Sequence, residues 1–292
     1  MVRKITLFMM VITSGFLFFF CDKDEVVNYN TEADSTVDPV CVDTETVGKT
    51  GGVHYVWWDI GRDFFDTLDI YVTIYDEPKY KDGLYFQMYQ GRINDIGFYF
   101  GFQTDIYKPG VGGVGKGIIF SRWDIRDTTY AKLYDNDGWI QSAGYEGDFI
   151  GIRTSFNWTP DSYKFSLFYE SSDSLGDWYC VKLMRLSDSF EVNLGAIRFE
   201  VKDENKKGIA NWGGTWTEIY NKADQNTPIP DWKLSIDSLF VYPNKQKPAH
   251  AYSDYSKNID THTDIYYDST ENKIYFLMGC EIEREHPKGQ LF

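Results

Sequence analysis

The chain has 292 residues, enough for one large β domain or two smaller ones. Aromatic residues make up 18% of it, mostly Tyr and Phe, and these types favour strands, so the composition points to an all-β protein. A net charge of −15 repels phosphate backbones and argues against a nucleic-acid partner.

The N-terminus opens with Arg3 and Lys4, followed by a largely apolar run from Ile5 to Phe20. That run is short for a membrane span, which takes ~20 residues. It suits the h-region of a signal peptide over residues 1–20. Cys21 comes next, then Asp22, Lys23, Asp24 and Glu25. A cysteine in this place resembles the acceptor of a bacterial lipoprotein, and the acidic residues resemble a surface-export tag. Phe20 stands where such acceptors usually follow Gly, Ala or Ser, so an uncleaved membrane anchor is the alternative. The expectation is export to the outer membrane or cell surface, with lipid on Cys21. Residues 22–50 are polar and without apolar period, and read as a solvated tether. With Cys21 lipidated, Cys41, Cys180 and Cys280 remain, which allows at most one disulfide. No C-x-x-C pair is present and histidines are few, so no cysteine-based zinc site is expected.

From His54 the pattern changes. Leu68, Ile70, Val72 and Ile74 alternate with Asp69, Tyr71 and Thr73, the signature of a half-buried strand. Strand-like segments follow at 84–90, 97–104, 117–123, 149–156, 163–169, 177–186, 196–201, 232–242 and 272–279. Turn signals such as "DEP", "DNDGW" and "TPDS" separate them. No segment carries a sustained 3.6-residue apolar period. The pattern predicts a large antiparallel β-sandwich, jelly-roll or concanavalin-like, over residues 51–243. Residues 244–292 read as a C-terminal extension, a closing hairpin packed on the sandwich.

The stretch "GVGGVGKG" (110–117) matches G-x-G-x-x-G and most of a P-loop. Phosphate binding there needs a helix after the glycines. "IIFSRW" reads as a strand instead, and Gly117 replaces the Ser or Thr that would hold magnesium. The glycines are therefore expected to form a loop between strands, with no nucleotide and no other cofactor.

Three features carry possible chemistry. Glu146 with Asp148, and Glu218, are candidate carboxylates for glycoside chemistry. The plain alternative for the pair is a solvated turn. Asp135 and Asp137 in "YDNDGW" offer oxygen ligands near a turn, with an ordinary β-turn as the alternative to a calcium site. Nine tryptophans fall mostly at strand ends or in Gly-rich connections by this reading. Among them Trp123, Trp139, Trp212 and Trp216 are candidates for an exposed stacking platform, and sealing the core is the alternative. No Ser–His–Asp arrangement and no G-x-S-x-G is present.

The blocks "YFGFQTD" (99–105), "GKGIIFSRWDI" (115–125), "FNWTPDSYKFSLFY" (156–169), "DWYCVKLMRL" (177–186) and "NWGGTWTEIY" (211–220), in this order, resemble the bacterial domain of unknown function 3472. The resemblance spans roughly residues 55–243. It implies a secreted, β-rich protein, sometimes found beside carbohydrate-binding modules, and transfers no catalytic residues. The resulting expectation is a lipid-anchored, non-catalytic sandwich that binds glycan or another extracellular ligand. Two alternatives stay open: a glycoside-active enzyme using Glu146, Asp148 or Glu218, and a protein-binding adhesion module.

Overall fold

Period-two alternation leaves one face of each segment apolar, and two such sheets bury those faces against each other. The computed structural model describes residues 51–78, 83–145, 147–220, 231–256, 262–279 and 281–292. Among them lie nineteen strands and two single-turn 3-10 helices. The first seven strands are β1 (Gly51–Phe65), β2 (Thr67–Ile74), β3 (Gly83–Ile93), β4 (Ile96–Gln103), β5 (Tyr107–Lys108), β6 (Gly112–Gly113) and β7 (Gly117–Trp123). Next come β8 (Ala131–Leu133), β9 (Trp139–Ala143), β10 (Phe149–Ser155), β11 (Asp161–Asp173), β12 (Gly176–Arg185) and β13 (Glu191–Phe199). The last are β14 (Ile209–Tyr220), β15 (Trp232–Tyr242), β16 (His250–Tyr255), β17 (Thr263–Asp268), β18 (Lys273–Met278) and β19 (Gly289–Gln290).

They form a β-sandwich of two antiparallel sheets. One has nine strands in the order β19-β16-β1-β14-β3-β4-β7-β10-β9. The other has eight, in the order β17-β18-β15-β2-β11-β12-β13-β8. Leu68, Ile70, Val72 and Ile74 of β2 are all buried, as their spacing predicts. Aromatic contacts knit the sheets together. Phe102 and Phe100 lie 4.9 and 5.4 Å from Phe165, and Phe86 lies 5.8 Å from Phe276. Arg122 of β7 also points inward. Its guanidinium crosses to the other sheet, where it donates to the Arg198 carbonyl and pairs with Glu200 at 2.7 Å.

Residues after Pro243 supply strands to both sheets. β17 and β18 form a hairpin at the edge of the eight-stranded sheet, and β16 and β19 extend the nine-stranded one. Ala251, Ile265, Ile274 and Phe276 are buried in the main core. No helix among the described residues is long and apolar enough to cross a membrane, which says nothing of β-barrels.

The glycine loop folds as the small hairpin β5–β6 and runs directly into strand β7. Gly110 and Gly115 adopt φ of 78° and 85°, the left-handed backbone that glycine reaches without cost. Lys116 bonds Glu77 and donates to the Trp158 carbonyl at 2.9 Å.

Candidate functional site

Strand β1 carries "HYVWWDI", in which both parities look apolar. Folding separates them. His54, Val56, Trp58 and Ile60 are buried between the sheets, and Tyr55, Trp57 and Asp59 point to the outer face. On β14, Trp212, Trp216 and Glu218 share that outer face. Tyr55 pairs across the strands with Trp216, and Trp57 with Gly214. The Tyr55 and Trp57 rings are parallel, 5.8 Å apart, and Trp216 stands edge-on to both at 5.7 and 6.3 Å. The two glycines of "NWGGTW" make this packing possible, by close approach rather than by a turn. A Cβ on Gly214 would sit 2.8 Å from the Trp57 ring, and one on Gly213 would overlap the Tyr89 hydroxyl on the inner face. Trp212, 48% exposed, stacks on Tyr252 at 6.1 Å farther along the same face.

A second aromatic wall rises across the sheet. Tyr99 lies 5.6 Å from Trp123, Trp123 5.6 Å from Phe149, and Phe149 5.4 Å from Tyr145. Trp139 shares this face but is only 9% exposed. The glycine-rich hairpin roofs it: its indole donates to the Tyr107 carbonyl at 3.1 Å, and Lys108 lies 5.0 Å over the ring. Ile106 packs beneath the hairpin with Tyr85, Ile119 and Trp139, in a cluster separate from the main core.

Between the walls runs a polar strip. Trp216 pairs with Gln87, Gln87 with Gly101, Gly101 with Ile119, and Ile119 with Arg153. Glu218 pairs with Tyr85, and Tyr85 with Gln103. Five polar atoms of this face are buried with no hydrogen-bond partner: Tyr85 Oη, Gln87 Nε2, Ser121 Oγ, Gln141 Oε1 and Arg153 Nε. Each such atom costs roughly 1–3 kcal/mol. Burial, with Tyr99 and Glu218 nearby, pushes the Tyr85 phenol well above its ordinary pKa. Burial, then Glu218 and Asp254, pushes Tyr55 up to about 12. Both phenols therefore stay protonated at neutral pH and remain able to donate.

All four candidate tryptophans lie on the outer face of the nine-stranded sheet, two of them in mid-strand rather than in Gly-rich connections. Sequence reasoning missed Tyr55, Trp57, Tyr85, Gln87, Tyr99, Ser121, Gln141 and Arg153. The usable signal was polar residues inside apolar strands: Gln87 in "LYFQMYQ" and Arg153 in "FIGIRTSF".

No family model and no curated protein matches the chain. Among solved structures, scytalido-glutamic peptidase aligns in two complexes, one with a transition state analog inhibitor and one with a peptide-based transition state analog. Both show 12% identity over 80% of this chain and 100% of theirs, with TM-scores of 0.41 and 0.42. SCP-B, a member of the Eqolisin family of peptidases in a complex with the tripeptide Ala-Ile-His, aligns at 11% identity over 80% of this chain and 100% of its own, with a TM-score of 0.38. The likeness concerns the fold alone.

The other candidates fall elsewhere. Glu146, Cys21, Cys41 and Cys280 lie outside the described residues. Asp148 is exposed, 4.0 Å from Arg126. Asp135 closes a turn by accepting from the Asp137 amide at 3.0 Å, and the Gly138 amide donates to the Asp135 carbonyl at 3.1 Å. No group of metal-ligating side chains occurs among the described residues. Cys180 is a free, buried thiol.

Proposed function

We propose that the outer face of the nine-stranded sheet binds carbohydrate, and that the protein is an exported, lipid-anchored, non-catalytic glycan-binding sandwich. One observation carries this reading. Two aromatic walls, Tyr55–Trp57–Trp216 and Tyr99–Trp123, share a face on which five buried polar atoms lack partners within the protein. A sugar has an apolar ring face for the walls and hydroxyls for those atoms. The resemblance to domain of unknown function 3472 belongs to the same proposal and adds no activity to it.

Glycan-array binding of the purified protein tests the reading. Trp216→Ala and Trp57→Ala are expected to weaken binding at least about tenfold, with the thermal midpoint of Trp216→Ala moving by only a few degrees. Wild-type protein that binds no glycan sinks it. A second reading, glycoside hydrolysis, is favoured only by Glu218 lying on this face. It requires Glu218→Gln to abolish turnover while binding persists, and no turnover by the wild type removes it.

The anchor has its own test. Metabolic labelling with a palmitate analogue is expected to mark the wild type and not Cys21→Ser. Equal labelling of both contradicts lipidation at that cysteine.

A further inference from the structure

We propose that the outer-face site recognises acidic glycans, with Arg153 binding a sugar carboxylate; this rests on the glycan-binding reading above. On the outer face Ser121 of β7, Gly151 of β10 and Gln141 of β9 stand side by side. Gly151 has no side chain, and a Cβ there would collide with the Ser121 hydroxyl. The Ser121 hydroxyl therefore fills the space over Gly151, in the middle of a short polar stretch of the face. Two residues along β10, ~7 Å away, Arg153 lies at one end of this stretch. Two residues the other way, the Trp123 and Phe149 rings lie at the opposite end. The stretch thus runs from an aromatic face to a guanidinium over ~13 Å, longer than one sugar ring.

The unmatched atoms in it are of the right kinds. Arg153 is 5% exposed, and its Nη1 donates to the Gln103 amide oxygen at 3.2 Å. Its Nε has no partner, and no carboxylate among the described residues forms an ion pair with it. The chain has 44 acidic residues, so the missing counter-ion is not for want of acids. A guanidinium is charged at every accessible pH, and burying one without an anion is costly. Its planar fork fits a carboxylate through two parallel hydrogen bonds. Gln141 presents its Nε2 to the Tyr145 hydroxyl at 3.3 Å and leaves its Oε1 unmatched. That oxygen, with the unmatched Ser121 hydroxyl, suits the hydroxyls beside a carboxylate. One ligand class offers a carboxylate, adjacent hydroxyls and an apolar ring face together: a uronate-containing oligosaccharide.

Calorimetric titration of the full-length protein tests this. The probes are uronate oligosaccharides from pectate, alginate and hyaluronan, the methyl esters of each, neutral cello- and xylo-oligosaccharides, and a sulfated carrageenan oligosaccharide, which carries no carboxylate. The expected result is that at least one acid binds at least about tenfold tighter than its ester. Arg153→Gln is expected to abolish that ratio, and Arg153→Lys to retain part of it. Circular dichroism melts of both variants confirm folding, and a merely structural arginine would leave the acid-to-ester ratio unchanged. Equal binding of acid and ester, or a ratio that survives Arg153→Gln, overturns the inference. So does a sulfated oligosaccharide that binds as tightly as the best uronate. Neutral oligosaccharides bound without acid preference overturn the inference and leave glycan binding standing. Binding of no oligosaccharide overturns both.

Discussion

Trp58→Ala is expected to destabilise the fold by ~3–5 kcal/mol, while Trp216→Ala costs about 1 kcal/mol. The two tryptophans lie on adjacent strands and on opposite faces of one sheet. Trp58 is 2% exposed, and its indole donates to the Thr215 hydroxyl at 2.9 Å. It also lines a half-open pocket of about 200 Å³ with Leu239, Ile274 and Phe292. Truncation would leave space between the sheets beside that pocket and strip its lining of contacts. Trp216 is half-buried and touches Tyr55 and Trp57 by its edge. Its loss removes aromatic contacts on the outer face and opens no void between the sheets. Denaturant titrations of both variants check the contrast. A Trp216→Ala cost equal to that of Trp58→Ala would assign Trp216 to the core and remove one wall of the proposed site.

Acid is expected to destabilise the protein from about pH 6.5 downward, through His54. This imidazole lies between the sheets, bonded to the Thr217 hydroxyl and edge-on to Phe276 at 5.2 Å. Burial lowers its pKa from 6.5 to about 3, Arg284 adds to the lowering, and Asp264 opposes it. The folded-state value is therefore depressed. Above pH 6.5 neither state binds the proton and stability is full. Below it the unfolded chain takes up a proton that the native state refuses. Stability then falls by ~1.4 kcal/mol per pH unit, roughly 3 kcal/mol between pH 6.5 and pH 4. His54→Gln removes this one titration, so its stability profile is expected to be flatter than that of the wild type across the same window. Parallel profiles for the two proteins would show that His54 does not carry the acid sensitivity.

Much of the fold was legible in the sequence because its strands obey a period of two. "TLDIYVTI" buries every second residue, and the strands predicted at 117–123 and 232–242 have the bounds of β7 and β15. The glycine loop was legible for the same reason, since the apolar, β-branched run after it leaves no room for a helix. β1 and β14 were harder to read. "HYVWWDI" is apolar on both faces, and "NWGGTW" has glycines where strands usually have bulk.

Local sequence therefore determined that the chain forms strands, and roughly where. It did not determine which of two apolar-looking faces meets the other sheet, because a strand's own residues do not distinguish them. Only sheet order decided that β1 and β14 lie side by side in the nine-stranded sheet, with Trp58 turned in and Trp57 and Trp216 turned out. Gln87 and Arg153 show the same limit. Their neighbours are apolar and mark the segments as strands, yet their partners on that face come from strands distant in the chain. Whether a polar atom finds a partner there is a property of cross-strand register. Five such atoms left without one are visible in the tertiary structure alone.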